Sequence, residues 1–227
     1  RKRRGGECGQ LGDPMTPTIW LLLVEAAGYT VVISGISIVV GFCIGMCVAA
    51  ARLSSSPWLA GPARVFVSFF RGVPLLVQLL LIYNLLPAAG VNVPSVVAAV
   101  VGLSLCTAAY QAENLRGGFA SVPRGLLEAA DMVGLSPFQQ LVRIRAPIAF
   151  RLTLPSLVSE AILILKASSL VSVVGVIELT KMAHDLDTSL YEPIQLYSAA
   201  GLLYFIINRA LAFAGTAAER RLHWGLA

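Results

Sequence analysis

The chain has 227 residues, 57% hydrophobic and only 13% charged, with a mean hydropathy of +0.79; this excludes an ordinary soluble domain and places it in a bilayer. The formal charge of +5 accompanies apolar runs, not the aromatic or glycine-rich pattern of a nucleic-acid surface, so nucleic acid is not an expected partner. Spans through lipid must be helices, because an open sheet leaves backbone groups unpaired.

Residues 1 to 18 are read as an N-terminal tail. It opens with Arg1, Lys2, Arg3 and Arg4, and its first methionine is Met15; a tail, an expression remnant and a misplaced start all fit the first 14 residues. A transmembrane domain is expected over 19 to 217. The run from Ile19 is too long for a signal-peptide core and lacks an A-x-A cleavage pattern. Trp20 to Ala51 holds 32 residues, too many for one perpendicular helix when roughly 20 cross the ~30 Å core. We read an interfacial entry at WLLLVEAAG, with Glu25 at the headgroups, then a first span over about 29 to 51. Gly41 and Gly45 form a small-xxx-small pair that admits a neighbouring helix closely, or reflect the ordinary glycine content of a membrane helix.

Arg52, the SSSP stretch, Arg64 and Arg71 read as a basic loop. A second span is expected over about 73 to 86, ended by Pro87. A third, over about 95 to 112, stops at Glu113, Arg116 and Gly117-Gly118. A polar insert spans 114 to 150, a fourth apolar stretch 152 to 177 is interrupted by Pro155, Glu160 and Lys166, and a last span covers about 193 to 214. Residues 218 to 227 form the C-terminal tail. Five spans put the termini on opposite sides. Arg52, Arg64, Arg71, Arg116, Arg124, Arg143, Arg145, Arg151, Arg220 and Arg221 fall together when the N-terminus is outside and the C-terminus is in the cytoplasm. The RKRR tail opposes that orientation.

Cys8, Cys43, Cys47 and Cys106 lack metal-ligand spacing and read as small packing residues. His184 and His223 are isolated, so no metal is expected.

In the insert, Leu126, Leu127, Ala130 and Val133 recur at helical spacing with Glu128 and Asp131 off the stripe. Gly134 ends this short helix. Ser136, Pro137 and Gln139 form a capping box that starts a second one, carrying Phe138, Leu141, Val142 and Arg145 until Pro147 stops it. The result is a compact knob outside the membrane, suited to a groove on another protein or to lying on the headgroups.

The spacing Glu128-Ala129-Ala130, Gly134, Ile144, Pro147 resembles the EAA motif of permease subunits of bacterial ABC importers; the usual Leu before the proline is Ala146 here. FRGVPLLVQLLLIYNLLP (70 to 87), AYQAENLRGGFASVPRG (109 to 125) and LKASSLVSVVGVIEL (165 to 179) resemble the polar amino acid and opine branch. The resemblance covers nearly all of the chain after Gly28. It implies an all-α membrane protein, a MetI-like type I permease bundle of about five transmembrane helices, in the bacterial cytoplasmic (inner) membrane. It implies ABC ATPase subunits that bind ATP and Mg, a second permease subunit, identical or similar, an extracytoplasmic solute-binding protein, and a small polar solute such as an amino acid. Glu128, Ala129, Ala130 and Gly134 would carry the ATPase contact, with Ser136 and Pro137 shaping the same knob. The chain contains no GxxxxGK[ST] phosphate loop, so it is not itself expected to be an enzyme.

Four ionisable residues lie in or beside apolar segments: Glu113, Glu160, Lys166 and Arg209. A mid-bilayer charge costs roughly 2.5 to 3.5 kcal/mol on insertion scales. Glu160 and Lys166 sit about 240° apart around a helix and cannot form the i,i+4 pair. Charges of both signs suit a zwitterionic solute, so Glu160 and Lys166, with Glu113 and the nearby Tyr110, are candidates for the substrate path. Pairing with Arg116 for Glu113, snorkelling for Arg209 and an interfacial position for Tyr110 are the structural alternatives. An ion-coupled secondary transporter or channel would need no docking knob and would show inverted repeats; an intramembrane enzyme would need a catalytic cluster. A permease for another small polar solute also fits.

Overall fold

The computed structural model describes residues 15 to 223, and every regular element among them is helical. The RKRR tail, Cys8 and the last four residues lie outside the described residues. The helices are α1 (Pro17–Leu53), α2 (Pro57–Gly72), α3 (Leu75–Ala88), α4 (Ser95–Ala120), α5 (Arg124–Met132), α6 (Pro137–Gln140), α7 (Ala146–Ala167), α8 (Leu179–Leu190) and α9 (Pro193–His223). Four segments are long and apolar enough to cross a membrane: α1, α4, the continuous stretch Pro137–Val174 and α9. Helices α2 and α3, bent by 110° at their junction, qualify together as a fifth.

Along the later part of α1 the buried face is mostly small or polar and the exposed face is aliphatic. Thr30, Ser34, Ser37, Gly41, Gly45 and Ala49 are buried, while Val32, Ile36, Val39 and Val40 are exposed. Lipid solvates aliphatic side chains as well as a protein core does, so close approach of backbones favours association more than apolar burial. The buried face meets the matching face of α4, where Ala108, Gln111 and Ala112 are buried. A Cβ at Gly41 would stand 2.6 Å from Thr107 Cβ, and one at Gly45 would stand 2.9 Å from Gln111 Cβ. The small-xxx-small pair is therefore a packing device. Three apolar clusters follow the long axis: Leu23, Leu179 and Leu196 at one end, Ile33, Leu103 and Ile164 in the middle, Ala49, Val67 and Leu115 at the other.

Several sequence boundaries shift. The interfacial entry and first span are one helix of 37 residues, about 55 Å long; longer than the hydrocarbon core, it must tilt or protrude. The basic loop is largely α2, whose buried Ala60, Ala63 and Val67 lie on one face; charge signalled a loop where spacing specifies an amphipathic helix. The second span shifts by two residues to α3 and runs through Pro87 to Ala88; at 14 residues or about 21 Å it reaches across only together with α2. At their bend, Gln78 Nε2 donates to Phe70 O at 2.8 Å and Val73 O at 2.7 Å, satisfying carbonyls that the end of α2 leaves orphaned. The third span continues through Glu113, Arg116 and Gly117-Gly118 to Ala120, because Glu113 is neutralised in place. The fourth ends as a 3-10 turn, Ser168–Val174, closed by Gly175 at φ 82°.

Pro147 does not stop the second short helix. A π turn, Leu141–Arg145, joins α6 to α7, with Ala146 N–H donating to Leu141 O. A proline ring strikes the carbonyl four residues back and has no N–H to give. One extra residue in the preceding turn moves that carbonyl aside, so the helix runs on through the proline.

Candidate coupling surface and charged cleft

The insert forms a bent pair of short helices. Gly134 adopts φ 73°, the left-handed conformation that glycine takes without a Cβ penalty, and Leu135 N–H returns to Ala130 O at 3.0 Å. The capping box is present: Gln139 N–H donates to Ser136 Oγ at 3.3 Å and Ser136 N–H to Gln139 Oε1 at 2.9 Å. Gln140 Nε2 spans the bend, donating to Asp131 Oδ1 at 2.6 Å and Leu135 O at 3.0 Å. These bonds fix the angle between α5 and α6.

Glu128, Ala129, Gly134, Ser136 and Pro137 are exposed. Ala130 is only 4% exposed, so it supports this surface from within. Leu126 and Val133 of the apolar stripe are exposed, and Met132 and Phe138 project beside them at 91% and 73% exposure. Of these only Met132 was not singled out from the sequence; its signal was available as a large apolar residue on a segment outside the membrane, where such a patch marks an interaction site.

A second feature lies between α1, α2 and α4. Glu113 pairs with Arg52 and Arg116, with Arg116 Nε at 3.0 Å. A cleft of about 430 Å³ there is lined by Arg52, Arg64, Arg71 and Glu113. Arg71 lies over the Tyr110 ring, 5.3 Å from its centroid, and its charge also reaches Glu160 on α7. Glu160 is 7% exposed, and its Oε1 has no hydrogen-bond partner among the described residues. Thus Tyr110 and Glu113 meet arginines that sequence position had suggested were merely topogenic. Lys166 stands apart, exposed on another side of α7.

At the opposite end, Glu178 is fully buried and caps α8, accepting from Lys181 N–H at 2.8 Å, Thr180 N–H at 2.9 Å and Tyr204 O–H at 2.8 Å. Burial raises its carboxyl above the ordinary carboxylate range, while these donors oppose that rise. Leu179 N–H donates to Thr30 Oγ1 at 3.1 Å, tying α8 to α1. His184 contacts Tyr197 O–H at 3.3 Å. Among the described residues no group of His, Cys, Asp or Glu could hold a metal ion.

Residues 37 to 224 match the family described as binding-protein-dependent transport system inner membrane component. The chain belongs to that family. This permease is 37% identical over 185 residues to the probable amino-acid ABC transporter permease protein YckA of Bacillus subtilis, covering 82% of each chain. It is 36% identical to the nopaline transport system permease protein NocM of Agrobacterium fabrum, covering 85% of this chain and 86% of that one. Its fold matches the crystal structure of an amino acid ABC transporter with histidines at TM-score 0.84 and 32% identity, over 88% of this chain and 94% of the other. An inward-facing MetNI methionine ABC transporter shares the fold at TM-score 0.79 and 22% identity, over 92% and 99%. The permease is accordingly a multi-pass inner-membrane transport component, not a catalytic one. The relatives belong to the amino-acid and opine branch that the sequence resembles.

Proposed function

We propose that this permease moves a polar amino acid or a related small zwitterion, driven by a separate ATPase subunit that grips the α5–α6 knob. The observation that carries this reading is the unbroken helical rod from Pro137 through the π turn to Ala167. Its first turn belongs to the knob, and its far part bears Glu160 and Lys166. Force applied at the knob reaches the path without crossing a flexible joint.

In this reading the knob faces the cytoplasm, the N-terminus lies outside and the C-terminus inside. Glu128, Ala129, Met132 and Phe138 meet the ATPase, while Ala130, Gly134, Ser136 and Pro137 set the bend. ATP and Mg are bound by the ATPase and supply the energy of the switch. Closure of the motor displaces the rod and exchanges inward- and outward-facing packings as a rigid-body motion. Arg71 and Glu160, with Tyr110 and Glu113 near them, present both signs of charge to a zwitterion in surroundings of low dielectric. Lys166 supplies a further cation along the path. A solute-binding protein delivers the solute at the α8 end, and a second permease subunit completes the path.

The test is reconstitution with a cognate ABC ATPase and solute-binding protein. ATP hydrolysis is expected to rise when the binding protein carries an amino acid. Hydrolysis indifferent to the loaded binding protein would contradict the reading, as would uptake that follows an ion gradient without ATP.

A further inference from the structure

Beside the π turn, a cavity of about 630 Å³ opens between the ends of α1 and α4 and the start of α7. Phe42, Met46 and Ala50 on α1, Phe119 on α4 and Leu141 form its apolar wall, and Arg145 brings the one charged side chain to its lining. Arg145 Nε is buried and lacks a hydrogen-bond partner among the described residues. A buried guanidinium nitrogen left unpaired is unfavourable, so the site favours a ligand with an anionic oxygen. The apolar wall demands that the same ligand carry a hydrocarbon body.

We infer that this cavity binds an anionic glycerophospholipid of the cytoplasmic leaflet, its phosphate on Arg145 and an acyl chain along Phe42, Met46 and Phe119. The assignment rests on the proposed orientation, which puts the π turn at the level of the inner headgroups. Guanidinium groups take phosphate through charge-assisted, often paired hydrogen bonds, and basic pockets between spans on the cytoplasmic side suit such headgroups. A small anionic solute would leave the apolar wall unfilled, and an uncharged lipid would leave Arg145 unpaired. The lipid would brace Leu141–Arg145 against α1 and α4, so that membrane charge tunes how firmly the knob is joined to the rod.

Two variants attack the two halves of the site. Arg145→Gln removes the charge, and Ala50→Phe fills the space from an exposed position on α1. The permease would be purified with its ATPase, stripped of lipid and exchanged with phosphatidylglycerol or phosphatidylcholine, and retained lipid counted by native mass spectrometry. Wild type is expected to retain phosphatidylglycerol over phosphatidylcholine, and each variant to lose about tenfold in that retention, a change of about 1.4 kcal/mol, while still co-purifying with the ATPase. If Arg145→Gln does not assemble, Ala50→Phe carries the test alone. Equal retention by wild type and Ala50→Phe overturns the inference, as does capture of Ala50→Cys by a second permease subunit. Either result with ATPase binding intact leaves the coupling reading standing, whereas loss of the Met132-to-ATPase contact in wild type would sink that reading instead.

Discussion

Glycine in the interior of a helix is unfavourable by roughly 0.5 to 1 kcal/mol relative to alanine, yet Gly41 and Gly45 stand in the middle of the longest helix. Their compensation is the backbone of α4, since a Cβ at Gly41 would come within 2.8 Å of Ser104 O. Gly41→Leu is therefore expected to destabilise the detergent-solubilised permease by about 1 to 3 kcal/mol through overpacking. Gly35→Leu, on the same helix with nothing within 4 Å of its Cβ position, should leave the melting temperature nearly unchanged. Equal effects would refute the α1–α4 packing. A second prediction concerns charge. If Glu160 and Lys166 handle the solute, Glu160→Gln and Lys166→Met should each lower uptake about tenfold or more, since a hydrogen bond to a charged group is worth roughly 1.5 to 3 kcal/mol. ATPase binding should persist, and unchanged uptake would remove them from the path. Spacing and polarity drew attention to these two residues, but the influence of Arg71 on Glu160 was invisible because it joins segments about 90 positions apart in the chain. Its charge was legible only as a topology signal.

At the scale of elements, local chemistry was readable and long-range accommodation was not. Ser136 and Gln139 announced their capping box, and Gly134 its left-handed turn, because each depends on residues within a few positions. The end of α6 depended on how Pro147 is tolerated. Propensity favours a stop, whereas the π turn removes the clash and preserves the rod. Likewise, α2 was hidden by reading Arg64 and Arg71 for sign instead of for helical face, and α1 by assuming that a span ends where the hydrocarbon does. The rod makes its own prediction. Replacing Ile144 and Ala146 by glycine adds about 1 kcal/mol of helix instability per site at the joint without altering the exposed knob. ATP hydrolysis should continue while uptake per ATP falls, measured in the same vesicles. An unchanged ratio of uptake to hydrolysis would mean that force does not travel through this joint.

Across the whole molecule, the knob and the Glu178 cap lie at opposite ends. The polar node of Glu178, Thr180, Tyr204 and Thr30 fixes α1, α8 and α9 together, while the knob end carries large apolar residues that the other described residues leave exposed. That asymmetry fits one rigid end and one end that engages a motor. The most direct measurement is a cysteine crosslink from the knob: Met132→Cys in a permease whose own cysteines are replaced, assembled with its ATPase in membrane vesicles. The account predicts a crosslink to the ATPase whose yield changes with ATP, and protection of the cysteine from an impermeant reagent added outside. Labelling from outside, with no adduct to the ATPase in any nucleotide state, would contradict it.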